Sequence, residues 1–415
     1  MPTSRYFSTL TNGAALTLLL YPSLLLMVKG GVNGALLLLL LFALAAWLVR
    51  PSELSRVRWQ SAWTPYLLAM LALPLATLVS QLFNHQFAGQ PHDAPSRYWL
   101  SIPIFLLLQR LPLKVFASLS WAFPIAALLG WAMRQDVDHG RMGLVTMDLI
   151  HSGDIELLFG MLSLFCIDRR AKWWENAVKI LGFAAGCAAS LASGSRGGWL
   201  AMPVFLAIFI YFSPFHWRKT WPIWLVILLG VPFALMNAPQ VQKRVAALQQ
   251  DVHDYQQGKR DSSVGSRLQL YQAAMQVFIA HPMVGVGVHG FAKEMQNMAQ
   301  TGQISQETAE LGKGEVHNDL LSKAVALGSL GLCALLAVYL VPLQLFWRAT
   351  RLSAAQRHYG ILGMMFVSGC FVFGLTVEFL NLTLATAFYS LSVATLLAAC
   401  YNQHHPSSPE GQSHV

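Results

Sequence analysis

Charged residues are scarce in this 415-residue chain: Asp, Glu, Lys and Arg together make up 11%, against 55% apolar residues. That balance excludes an ordinary soluble globular domain. Cysteines are few, and Cys166, Cys187, Cys333, Cys370 and Cys400 each fall in an apolar stretch, where a thiol packs as a small apolar group. Their spacing implies neither a metal site nor a disulfide framework. A Gly-x4-Gly-Lys-Ser/Thr loop is missing, so the energy for any chemistry arrives with the substrate. A Gly-x-Ser-x-Gly elbow and a His/Cys/Asp/Glu cluster with metal spacing are missing too. The net charge of +9 does not make a nucleic-acid binder, because the basic residues are scattered over many turns with no stripe interleaved with aromatics.

What is present is a series of apolar runs. A bilayer core requires roughly 20 helical residues per crossing. On that length the chain reads as an all-α polytopic membrane protein with about twelve spans, near 12–28, 32–49, 65–83, 98–109, 115–133, 151–167, 176–192, 199–212, 221–237, 317–347, 359–379 and 383–401. Threading these from a cytoplasmic N-terminus puts Arg5, Arg50, Arg56, Arg58, Arg110, Lys114, Arg169, Arg170, Lys172, Arg218, Lys219, Arg348, Arg351 and Arg357 inside. The short outward loops hold only Lys29, Arg97, Arg134, Arg141 and Arg196. The bias places both termini in the cytoplasm. The first span has no convincing cleavage site and reads as retained.

The organisation divides into residues 1–237 with nine spans, an outward loop region 238–316, spans ten to twelve over 317–401, and a polar tail 402–415 expected to be disordered. The loop region is too small for a full independent core and is expected to pack on the bundle. Within it Val241, Val245, Leu248 and Val252 share a helical face. Ser266-Arg267-Leu268 opens a second helix through Ile279, which Pro282 stops. Phe291, Met295 and Met298 mark a short helix, and Ser305 caps another running to Leu311. A first, shorter outward segment, from Arg134 to Asp154, carries Arg141, Asp148, His139 and His151.

The polar residues that could do chemistry gather at the outward face. Ser193-Gly194-Ser195-Arg196-Gly197-Gly198 is a glycine-softened turn with one cation, flanked by small residues that let backbone N–H groups face an anion. A snorkelling arginine is the plainer alternative. Arg267 stands in the first turn of its helix and supplies a second cation for a diphosphate. His317, followed by Asn318, places a proton-transfer group where bilayer meets water. Asp319 and Lys323 lie four apart on one helix and are expected to pair. Glu378, an acid near the outer end of an apolar span, needs a partner and is a candidate to orient His317 or an acceptor. Arg141 is a further candidate phosphate ligand.

Ser193-Gly194-Ser195-Arg196-Gly197-Gly198-Trp199, then Gly265-Ser266-Arg267 with His281-Pro282-Met283-Val284-Gly285-Val286-Gly287, then His317-Asn318 with Gly328 and Gly331, resemble the O-antigen ligase superfamily in that order. The resemblance implies about twelve helices and an inner-membrane protein with a periplasmic site. It implies transfer of a glycan from undecaprenyl diphosphate to a sugar hydroxyl of lipid A-core, with no cofactor, nucleotide or metal. Carried onto this chain, Arg196 and Arg267 bind the diphosphate and His317 deprotonates the acceptor. Ser193, Ser195, Asn318, Glu378 and Arg141 complete the substrate-binding set. O-antigen polymerases and protein O-oligosaccharyltransferases share the superfamily and stay open as alternatives. A lipid-linked glycan transporter fits less well, since the spans hold few polar residues beyond Lys179 and Lys323.

Overall fold

A computed structural model describes residues 2–49, 54, 60–61, 63–138, 140–168, 170–195, 197–212, 249–250, 253, 263–313 and 315–403. Among these are fourteen helices and one two-stranded hairpin. The first eight helices are α1 (Pro2–Met27), α2 (Gly31–Val49), α3 (Trp63–Asn84), α4 (Asp93–Leu108), α5 (Leu119–Ala132), α6 (Leu149–Phe165), α7 (Trp173–Ser193) and α8 (Met202–Phe212). Three short helices follow, α9 (Ser263–Ala280), α10 (Gly290–Gln300) and α11 (Gln306–Gly312). The last three are α12 (Asp319–Ala349), α13 (Ala354–Gly374) and α14 (Thr383–Cys400). Seven of the described helices are each long and apolar enough to cross a bilayer. The chain is therefore a nearly all-α polytopic protein. Eleven of the twelve expected spans fall on helices; the span at 221–237 lies outside the described residues, as do Val241, Val245, Leu248 and Val252.

Two helices form the centre, and composition explains why. In α14 nearly every residue is buried, and Ala, Ser and Thr recur on all sides. Small side chains let neighbours approach from every direction, which in a bilayer is the main route to tight helix packing. Most of its hydroxyls have partners: Tyr21 bonds Ser392 at 3.1 Å, and Tyr389 donates to the Val338 carbonyl at 2.8 Å. Helix α6 is buried from His151 through Ser163 and runs against α7. It carries two acids the composition did not flag, Asp154 and Glu156, both fully buried. Glu156 pairs with Arg134, which also donates to the Met142 carbonyl. That pair ties α6 to the hairpin β1 (Gln135–Asp138) and β2 (Arg141–Gly143), the one departure from an all-α fold among the described residues.

Helix α12 is broken on purpose by its glycine. Gly328 sits at φ 67°, ψ −160°, a conformation open to glycine and costly for other residues. The carbonyls of Val325 and Ala326 thereby lose their i+4 donors and accept instead from the N–H groups of Val286 and Gly287, each at 3.0 Å. In exchange, the N–H groups of Ser329 and Leu330 donate to Pro282 and Met283, at 2.7 and 3.4 Å. The Pro282–Gly287 segment is thus sewn into the helix break, so these four backbone groups of α12 stay paired at membrane depth. Ser80 on α3 joins it through Val284, at 2.8 Å.

The loop helices make a small core of their own. Leu270, Ala273, Ala274 and Val277 of α9 meet Phe291, Met295, Ile304, Ala309, Val316 and, on α12, Val325. Ser305 caps α11 by accepting from Thr308 N–H at 3.1 Å. Three expectations are revised. Lys323 donates to Asn381 at 2.6 Å, while Asp319 accepts from Tyr339 at 3.0 Å and from Leu380 N–H at 3.1 Å. Burial drives this: Tyr339, on α12 beyond the Gly328 break, and Leu380, in the α13–α14 connector, bring donors to Asp319 that a surface i,i+4 pair would lack. Helix α13 stops at Gly374, so Glu378 stands in the α13–α14 connector and not in a span. Asn402 and Gln403, expected in a disordered tail, bond the Leu111 and Gln109 carbonyls at 2.9 and 2.7 Å; His404 onward lies outside the described residues.

Candidate functional site

Helix α7 ends where Gly194 turns left-handed, at φ 66°. Ser193 and Ser195, both buried, shape the turn that follows. The Ser195 N–H donates to Ser193 Oγ at 3.1 Å, and Ser193 Oγ donates back to the Ser190 carbonyl at 2.8 Å. Ser195 Oγ then donates to Asp154 Oδ1 at 2.9 Å, which fastens the turn to α6. From the hairpin, Arg141 Nε donates to the Ser193 carbonyl at 2.9 Å and Nη1 contacts Asp138 at 3.3 Å. Arg196 lies outside the described residues. The turn that would carry it is held on three sides.

The fourth side is the α13–α14 connector. A Cβ on Gly197 would run into Thr376 Oγ1, so glycine is what permits the close approach. The His317 segment reaches the same connector. Asn318 caps α12, its Oδ1 accepting from Leu321 N–H at 3.0 Å, and its Nδ2 donates to the Leu375 carbonyl at 3.0 Å. One residue before His317, Val316 N–H donates to Glu378 Oε1. The other oxygen of Glu378 accepts from Ser322 Oγ at 2.9 Å and from Asn381. With its side chain 3% exposed and both oxygens taken, Glu378 holds the loop from behind.

His317 has φ 58°, a left-handed conformation that a residue with a Cβ seldom adopts and that costs of order 1 kcal/mol. Its Nδ1 faces Glu315 Oε1 at 2.6 Å, in contact but without hydrogen-bond alignment. Tyr271 donates to the His317 carbonyl at 3.2 Å. Tyr271 is one turn beyond Arg267 on α9, so the two share a face. Burial pushes the Tyr271 phenol up, and the Arg267 charge opposes it. Half-buried Arg267 is thereby brought to the His317 side of the bundle.

Several of these residues were given no role by the sequence reading. Tyr271 could have been found at i+4 from Arg267, and Glu315 two residues before His317. Asp154 is an acid within an apolar span, which should have demanded a partner. His151 is a further case: Nδ1 contacts Asp148 Oδ2 at 2.7 Å, and its ring stacks on Phe379 at 5.8 Å and 15°. Asp148 also caps α6, accepting from the N–H groups of Ile150 and His151 at 3.0 Å. Burial alone would raise the Asp148 carboxyl, but the hydrogen bond and charge of His151 hold it below its ordinary value. Among the described residues there is no group of three or more metal-ligating side chains.

The Ser193–Gly198 turn and the His317 segment converge on one connector, and the stretch that contains them matches a known family. Residues 181–336 match the model of the O-antigen ligase family. That segment, a little over a third of the chain, is similar to the O-antigen ligase family. The matched segment contains the Ser193–Gly198 turn, Arg267, His317 and Gly328, whereas Arg141, Asp148, His151 and Glu378 lie outside it. The chain is also 27% identical over 270 residues to an uncharacterised protein of Haemophilus influenzae. The alignment covers 61% of this chain and 65% of that relative, a little under two thirds of its length.

Proposed function

We propose that the protein is an O-antigen ligase, a glycosyltransferase that moves O-antigen polysaccharide from undecaprenyl diphosphate to lipid A-core during lipopolysaccharide synthesis. The reading places it in the bacterial inner membrane, with its site on the periplasmic face and both termini in the cytoplasm. One observation carries it: the Arg196 turn and the His317 segment dock on the same connector, through Thr376 on one side and Leu375 and Glu378 on the other.

In this reading Arg196 and Arg267 bind the diphosphate, with Arg141 bracing the turn. Ser193 and Ser195 act by shaping that turn, and Asn318 and Glu378 by fixing the segment around the base. His317 takes the proton of the acceptor hydroxyl as its oxygen bonds the anomeric carbon. The carbon–phosphate-oxygen bond breaks, and its electron pair leaves on the lipid diphosphate. Glu315 occupies the Nδ1 side, so Nε2 is assigned the proton. The donor is already activated, so alignment and charge neutralisation suffice, and neither nucleotide nor metal is called for. A single base with no nucleophilic carboxylate implies direct displacement with inversion.

The test is transfer in proteoliposomes containing the purified protein, undecaprenyl-diphosphate glycan and lipid A-core. Product on lipid A-core is expected, lost about 10²–10⁴-fold in His317→Ala and abolished in Arg196→Ala. Chains lengthening on the lipid carrier would make it a polymerase of the same superfamily. Substrate crossing the bilayer with no new glycosidic bond would make it a transporter.

A further inference from the structure

His151 is buried, lies outside the family-matched segment, and is left without a task by the reaction above. Its surroundings define what it does. Nδ1 is clamped by Asp148 at 2.7 Å, which fixes the plane of the ring. Nε2 is buried and makes no hydrogen bond among the described residues, so the ring acts through its face. That face lies almost parallel to Phe379, 15° off, with centroids 5.8 Å apart. Phe379 follows Glu378, whose carboxylate holds Val316 N–H next to His317. One turn further along α6, Asp154 holds Ser195, next to Arg196, at 2.9 Å.

The opening turns of α6 therefore touch both halves of the site. We propose that His151 is a positioning residue for His317: through Phe379 and Glu378 it sets where the base stands, while Asp154 sets the diphosphate turn from the same helix. Because α6 is a helix enclosed from His151 through Ser163, the two anchors, three residues apart, gauge the distance between the diphosphate turn and the base. The inference rests on His317 being the base. It adds that a residue touching neither substrate controls the turnover step, since a base displaced by about 1 Å loses much of its effect.

The test measures transfer and donor binding for the full-length protein in nanodiscs, using undecaprenyl diphosphate as the binding probe. His151→Ala is expected to lower kcat at least tenfold while the probe's Kd stays within about twofold. His151→Phe, which keeps a ring on Phe379, should recover most of kcat, and His151→Asn, which keeps the Asp148 contact without the ring, should not. A double-mutant cycle with Phe379→Ala should be non-additive, the pair losing no more than the worse single variant. The inference is overturned if His151→Ala turns over like wild type, if Asn outperforms Phe, or if the two losses add. Should His151→Ala not accumulate, the Phe and Asn variants decide alone. Wild-type turnover in His317→Ala would instead overturn the proposed function, and a dead His317→Ala beside a fully active His151→Ala would overturn only the positioning role.

Discussion

Glu378 accepts a hydrogen bond from the backbone N–H of Val316 and so sets the segment that presents His317. The carboxylate acts on the chain beside the histidine and not on its ring. Removing it orphans the buried donors on Val316 and Ser322 and a third on exposed Asn381, and each buried donor left bare costs about 1–3 kcal/mol. Glu378→Ala should therefore lower stability by about 2–4 kcal/mol and kcat at least tenfold, with donor binding retained. Thermal unfolding alongside steady-state transfer checks both; a variant that unfolds normally and binds donor poorly would point to direct substrate contact.

The contact between Gly197 and Thr376 gives a second prediction. A methyl at position 197 would collide with the threonine side chain, pushing the diphosphate turn off the connector. Gly197→Ala should reduce transfer by an order of magnitude or more. Thr376→Gly makes room, so the double variant should recover activity that neither change alone would suggest. Transfer rates for the four corners of this cycle are the measurement.

The break in α12 depends on Gly328. An alanine there would have to hold φ near 67° and would also meet the Met283 carbonyl. Strain of about 1–3 kcal/mol plus the collision should make Gly328→Ala among the more destabilising single changes. Denaturant unfolding in detergent should show a loss of at least about 2 kcal/mol.

Acid should weaken one link selectively. Asp148 is held below its ordinary value by His151, so its folded form favours the carboxylate. A depressed carboxyl adds stability above its unfolded value, near 3.9, and loses that contribution as pH falls through its folded value. The melting temperature of wild type should exceed that of Asp148→Ala at pH 7, with the gap narrowing as pH drops below about 4. A gap that stayed constant down to pH 3 would show that the cap, and not the charge, supplies the difference.

The sequence by itself determined that the chain is a membrane bundle. Scarce charge and repeated apolar runs admit little else, because a backbone in hydrocarbon must satisfy its hydrogen bonds within helices. It also determined where the chemistry-bearing residues stand along the chain, since glycines, an arginine and a histidine are conspicuous at the ends of apolar helices. Tertiary structure decided how these residues are used. That Glu378 holds Val316, that Asn318 caps a helix while gripping Leu375, and that Asp319 turns to Tyr339 and not to Lys323 depend on which connector folds over which helix. The roles of Asp154, His151 and Tyr271 were hidden for the same reason. Their partners are distant in sequence, and linear spacing carries no record of which buried acceptor a donor will meet.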